Sequence, residues 1–364
     1  MGKVPIRRTI VVAKPPPKLW DIERDGVTQS LLGMFLTCQE KTRLRVLEGL
    51  SSQRVSGPLA FGSLFHEGLD KIYGSAKSLR DSKGKLVTQI DSNLHVMVKQ
   101  AIESLYKRDK ARMASTLSDV ATAQAFELNF GLAEIMLYEY FRRWDADLAD
   151  LKWVDLERTF NVPYKLRMDY GYRGLESYEH FDIPVRGKFD GVFLDRKGKH
   201  WLFETKTKSL IDDSSIADKL GYELQVMLYL WAMRHTYDVK PAGVVYNLVR
   251  RPLLKQKQTE DLPQFLARVA EDVRSRQDFY FIRYNASIAW EEVEAWLPEL
   301  DGMIRQLYAW SQGDFHYRNS QECNGRYGVC EFLPLCSGTG VKEWYTRRTE
   351  VFPELAMVGE SEAE

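Results

Sequence analysis

Glu204 and Lys206 stand two residues apart in the run Trp201-Leu-Phe-Glu-Thr-Lys. On a strand, positions two apart share one face, so a carboxylate and an ammonium would project together into one site. The apolar Trp201-Leu202-Phe203 just before them indicates a strand emerging from a core. By itself the acid-x-Lys pattern is weak, since it recurs at Asp81/Lys83, Asp150/Lys152, Asp195/Lys197 and Asp238/Lys240. The preceding run, Val185-Arg-Gly-Lys-Phe-Asp190-Gly-Val-Phe-Leu-Asp195, supplies a second acid. A three-residue loop over Arg196-Lys197-Gly198, with the glycine left-handed, would join the two strands. That register sets Asp195 against Lys199, Leu194 against His200 and Asp190 against Glu204. Directly opposite residues have Cβ atoms about 4.5–5.5 Å apart. Two carboxylates so close repel and raise one another's pKa unless a cation lies between them, and hard oxygen ligands suit Mg²⁺ or Mn²⁺. Lys206 would then orient a water or stabilise negative charge developing on a phosphate. The plainer alternative is an exposed hairpin whose Lys206 only pairs with Glu204.

Two further features bear on this site. His66 sits within an apolar helical run, where a satisfied core histidine is the commoner outcome than a ligand. Gln225 and Tyr229 share one face of a helix at i, i+4, which also suits the rim of an ordinary amphipathic helix. The four cysteines are lopsided: Cys38 comes early, while Cys323, Cys330 and Cys336 crowd the end. In an intracellular chain such a set points to metal binding rather than a disulfide framework. Four unrelated thiols are the alternative.

The elements that must hold these residues change in texture along the chain. Helical patterns run from 27 past 47, over 60–74, 92–108 and 117–148, with Gly57-Pro58 as a break. From about 152 the pattern alternates with period two, over 153–162, 183–194 and 201–206. Then follow a helix over 216–236, a strand over 243–249, a helix over 261–277, a strand over 279–284 and a helix over 288–311. A Gly- and Cys-containing loop over 316–340 closes the pattern. Helices, then strands, then alternating elements predict an α/β fold with a helical lobe.

The chain has 364 residues, with 51 Lys+Arg against 51 Asp+Glu, 44% hydrophobic and 12% aromatic. That is a globular composition and a prior of roughly two domains at about 150 residues each. Zero net charge restricts any nucleic-acid footprint to local basic patches. Arg250-Arg251…Lys255-Gln256-Lys257 and the Arg/Lys scatter over 105–112 are candidates, and a solvated face is the alternative for each. No run of about 18 apolar residues predicts a membrane span. The opening MGKVPIRRTIVVAKPPP lacks the apolar core of a signal peptide, and Ile6 leaves a myristoylation motif incomplete. A location in the cytoplasm is expected.

In order, Gly62…His66, Gly187-Lys-Phe-Asp190, Glu204-Thr-Lys206 and Gln225-x-x-x-Tyr229 resemble the PD-(D/E)XK nuclease superfamily, specifically its RecB-like branch. The resemblance spans about 30–340. It implies a restriction-endonuclease-like mixed sheet flanked by helices, with an N-terminal helical lobe and a C-terminal cysteine loop. It implies that His66, Asp190, Glu204 and the Thr205 backbone carbonyl hold Mg²⁺ or Mn²⁺. It also implies that Lys206 is catalytic beside Asp190 and Glu204, and that Gln225 and Tyr229 support the site or DNA. The expected divisions are an arm over 1–26, a helical lobe over 27–150 carrying Cys38 and His66, a nuclease core over 151–315, a cysteine loop over 316–345 and an acidic tail over 346–364.

AddB-type subunits and the CRISPR-adaptation nucleases place one cysteine before the core and three after it. By that resemblance Cys38, Cys323, Cys330 and Cys336 hold a [4Fe–4S] cluster, with Zn²⁺ as the alternative. The C-x6-C-x5-C spacing is wider than the C-x2-C-x5-C usual there. The expected activity is metal-dependent DNA hydrolysis, as an exonuclease on linear or single-stranded ends in recombination, repair or replication, in the manner of a phage enzyme. A structure-specific endonuclease and a catalytically idle DNA-binding scaffold are the alternatives. Expected partners are DNA and a single-strand annealing protein or helicase, in host cytoplasm if phage-encoded. A homo-oligomer is left open.

Overall fold

The structure, a computed structural model, describes residues 19–52, 57–78, 94–114, 120–169, 178–209, 215–313, 315–325 and 328–356. The proline block of the expected arm, the Asp81/Lys83 pair and positions 357–364 of the expected tail lie outside them. The main helices are α1 (Gln29–Thr37), α2 (Gly57–Ser78), α3 (Leu94–Ala114), α4 (Val120–Arg143), α5 (Leu224–Tyr237), α6 (Leu262–Ser275) and α7 (Trp290–Gln312). The main strands are β1 (Lys152–Leu156), β2 (Thr159–Asp169), β3 (Tyr178–Lys188), β4 (Gly191–Leu194), β5 (His200–Lys208), β6 (Gly243–Arg250) and β7 (Phe281–Ser287).

Five strands form one mixed sheet in the order β1-β4-β5-β6-β7. Only β5 and β6 run parallel, joined through α5, and the other neighbours are antiparallel. The period-two alternation of the strands sorts their side chains onto two cores. Leu202, Val244, Tyr246 and Leu248 pack with α1, α5 and α7 on one side. Phe203, Val245 and Val249 pack with α2, α3, α4 and α6 on the other. This is the restriction-endonuclease-like mixed sheet flanked by helices that the sequence led us to expect. The segment expected as one helical lobe divides between the cores: Leu31, Leu32 and Phe35 of α1 join the first, and α2–α4 build the second. Trp20 and Ile22, within the expected arm, are buried in the first core.

Four elements read as continuous are broken, among them the helix over 216–236, which divides into Ile216–Lys219 and Leu224–Tyr237. The helix from 27 ends at Thr37, because Cys38 is extended (φ −158°, ψ 112°). The Thr37 hydroxyl donates back to Met34 C=O at 2.8 Å, and Asn319 Nδ2 donates to Thr37 C=O at 2.9 Å, so the last turn is satisfied partly from within and partly by the C-terminal loop. The strands expected over 153–162 and 183–194 each divide, because the hairpin they form bends. Beyond the bend β2 and β3 pair with each other, Thr159 opposite Lys188 through Asp169 opposite Tyr178, and Val27 bridges Val185 of β3. At the bend Glu157 takes a positive φ of 49°. Its N–H donates to Asp190 C=O at 3.2 Å, and Phe189 N–H donates to Arg158 C=O at 2.9 Å. None of the helices among the described residues is long and apolar enough to cross a membrane.

Candidate active site

The site lies where the bent hairpin meets the middle of the sheet. Leu194 pairs with His200 and Gly191 with Phe203, and Gly198 (φ 75°) closes the turn over Asp195. That is the register expected from sequence, and it carries Asp190 to the level of Glu204. The Asp190 carboxylate accepts the Thr205 backbone N–H at 2.8 Å, fastening the bend to β5.

Glu204 and Lys206 share the face of β5 turned to α5. Glu204 Oε1 receives Lys206 Nζ and Gln225 Nε2, each at 2.7 Å. Lys206 Nζ also donates to Gln225 Oε1 at 2.5 Å. Gln225 therefore holds both groups at once, from a helix buried over Gln225–Met233 by the sheet on one side and α7 on the other. One turn on, Tyr229 meets the Lys188 backbone N–H, beside Asp190. An added Cβ at Gly187 would stand 2.5 Å from the Phe160 ring and 3.2 Å from Tyr229, so a glycine is needed where these rings close on the strand.

His66 arrives from the other helical layer. Helix α2 lies close on β5, where an added Cβ at Gly62 would meet Thr207 Oγ1 at 2.8 Å. One turn further, His66 Nδ1 stands 3.4 Å from Asp190 Oδ2. His66 is half-buried with its imidazole turned to the Asp190 carboxylate. His66 and Asp190 gather with Glu157, their ligand atoms all within 4.8 Å of one another. Among the described residues Glu204 is not part of so tight a group, and Lys206 and Gln225 hold its Oε1.

Glu157 was not found by sequence reasoning. Nothing in its type or spacing marks it, and only the bend turns it toward Asp190. Lys188 pairs with it, which partly neutralises the acids.

Electrostatics follow from burial. Glu204, 1% exposed, is pushed up to about 8 by desolvation and then by Asp190, against the pull of Lys206. Glu157 is pushed up to about 7 by burial and Asp190, against Lys188. Asp190 resists its own burial and stays below the usual carboxylate range, since His66, Lys206 and the Thr205 N–H all favour its anion. Burial works against a charged Lys206, but Glu204 and Asp190 outweigh it and keep the ammonium protonated. His66 is likewise raised by Asp190 against burial.

Glu204 Oε2 is sealed from water and has no hydrogen-bond partner. An orphaned buried carboxylate oxygen is costly. With Asp190, Glu157 and an imidazole alongside, this donor set of hard oxygens and one nitrogen fits a divalent cation.

The four cysteines are drawn into one neighbourhood from opposite ends of the chain. Asn319 N–H points to Cys38 Sγ at 3.5 Å, and Cys323 Sγ lies 3.9 Å from Asn319 C=O. Cys330 N–H donates to Cys323 C=O at 2.8 Å. The Cys336 thiol is raised by burial, then by Glu40 and by the three other cysteines near it. All four are free thiols, and no three of their sulfurs lie within 4.8 Å of one another. Phe332 of the same loop is buried against Leu44 and Leu50.

A family model described as the PD-(D/E)XK nuclease superfamily matches residues 27–337. None of the curated proteins matches. Among solved structures, SSO0001 is similar at 11% identity over 66% of this chain and 97% of that one, with a TM-score of 0.26.

Proposed function

Because this chain belongs to the PD-(D/E)XK nuclease superfamily, a group of metal-dependent nucleases, we propose that it is a RecB-like deoxyribonuclease working as an exonuclease on linear or single-stranded DNA ends. The observation that carries this reading is the orphaned Glu204 Oε2 beside Asp190, with Lys206 held alongside.

His66, Asp190 and Glu204, with the Thr205 carbonyl, would hold Mg²⁺ or Mn²⁺, and Glu157 extends this set. Such an ion polarises a phosphate and makes its bound water a nucleophile at neutral pH. Lys206, kept cationic by its carboxylates, stabilises charge on the phosphoryl oxygens or orients the water. Gln225 positions Lys206 and Glu204, and Tyr229 braces the strand that bears Asp190.

We further propose that Cys38, Cys323, Cys330 and Cys336 hold a [4Fe–4S] cluster. Four converging free thiolate donors suit either that or zinc. The cluster's role is structural, tying α1 to the C-terminal loop.

The test offers the purified protein linear and covalently closed circular DNA with Mn²⁺, with EDTA as control. Degradation of the linear form alone is expected, from a brown protein absorbing near 400 nm (roughly, as iron–sulfur clusters do). Cutting of the circle would replace the exonuclease by an endonuclease. Inertness toward both would leave a DNA-binding scaffold.

A further inference from the structure

At the mouth of the β5–β6 pair, the Arg251 backbone N–H donates to Lys208 C=O at 2.9 Å, continuing the ladder by one residue. Its guanidinium stands 5.7 Å from the Phe61 ring of α2, and Nη2 makes a single long contact of 3.5 Å with Asn129 Oδ1 of α4. Nε is buried and has no partner. Among the described residues no carboxylate pairs with it, and burial alone lowers its affinity for the proton. On the neighbouring strand Arg283 is treated differently: Asp147 receives it through two hydrogen bonds of 2.8 and 2.9 Å. A half-buried guanidinium whose buried Nε has no partner is costly.

Lys206 pairs with Leu248, so Arg251 lies three residues further along, about 10 Å at strand spacing. Phe61 and Gly62 belong to the turn of α2 that precedes His66. Three is an odd step, so Arg251 faces α2 and α4 rather than α5, beside the helix that brings His66 to Asp190. We infer that Arg251 binds a backbone phosphate of the DNA strand next to the scissile one and sets the register in which the strand is cut. The inference rests on the nuclease reading above.

The test is a methylphosphonate scan. Oligonucleotides with one neutral linkage placed at successive positions from the end are bound to wild-type protein, R251M and R251K. Fluorescence anisotropy in Ca²⁺ is followed over a NaCl series. Wild type should lose affinity at one linkage in particular. R251M should be indifferent to that linkage, with a salt slope lower by about one, while R251K keeps the sensitivity. R251M should melt at or above the wild-type temperature, since it removes an unpaired charge. An R251M profile that still shows the wild-type sensitivity, or an R251M protein that melts well below wild type, would overturn the assignment while leaving the nuclease reading intact. A wild-type protein that neither binds nor cuts DNA would sink both.

Discussion

Lys206 Nζ stands 2.5 Å from Gln225 Oε1, so the strand that carries the cation and the helix behind it are fastened to each other at the reacting face. The other end of the same amide holds Glu204. Replacing Gln225 by Leu should therefore lower activity by about 10–100-fold, as loss of a supporting hydrogen bond does at metal sites. Steady-state cleavage and Mn²⁺ titration check this. An unchanged kcat would mean that Lys206 and Glu204 orient themselves without it.

A pH dependence follows from the raised carboxyls. Glu204 at about 8 and Glu157 at about 7 bind protons in the folded chain that an unfolded carboxyl, ordinarily 4.5, has released. Between these values the folded state holds more protons, so stability falls as pH rises from about 5 to about 8. In EDTA the melting temperature should drop across that window. Mn²⁺ should restore it most at the alkaline end, where it displaces protons that cost least to remove. In Glu204→Gln the drop should shrink, and an equal drop would assign it elsewhere.

Removing the lysine separates binding from chemistry. Lys206→Ala should lose most activity yet still bind Mn²⁺, because an ammonium is no ligand for a dication. Asp190→Ala and Glu204→Ala should lose both activity and metal; Glu204→Ala relieves carboxylate repulsion, whereas Asp190→Ala also leaves the Thr205 N–H unpaired and should lower the melting temperature. Calorimetric titration of the three variants distinguishes these outcomes. Loss of Mn²⁺ in Lys206→Ala equal to that in Glu204→Ala would show that the lysine only holds Glu204 in place.

Cys38 joins α1 to a loop almost 300 residues later: Asn319 lies at a sequence separation of 281. Treated as a cross-link, a cluster across so long a loop is worth of order ~4–5 kcal/mol. Cys38→Ala should strip iron and lower the melting temperature, while cleavage of a short oligonucleotide changes less. Full iron content in the variant would remove Cys38 from the ligands.

The chemistry of β5 was legible in the sequence because strand periodicity and a glycine turn are local rules. Spacing of two put Glu204 and Lys206 on one face, and a three-residue loop with Gly198 set the register that brings Asp190 level with Glu204. The sorting of Leu202 and Phe203 onto opposite cores was local in the same way. His66 was legible only by resemblance, since nothing in its own helix says that a carboxylate from another layer will stand 3.4 Å away. Glu157 was not legible at all. Its carboxylate reaches Asp190 because the hairpin bends there with a positive φ, and a bend is imposed by what packs on either side, not by the residue that takes it. The same holds for Arg251, an ordinary member of a basic run until burial beside Phe61 and an Nε without a partner set it apart. Residue type and period decide which groups face together along one element. Which groups from distant elements meet, and which are left without a partner, is decided only when the layers close.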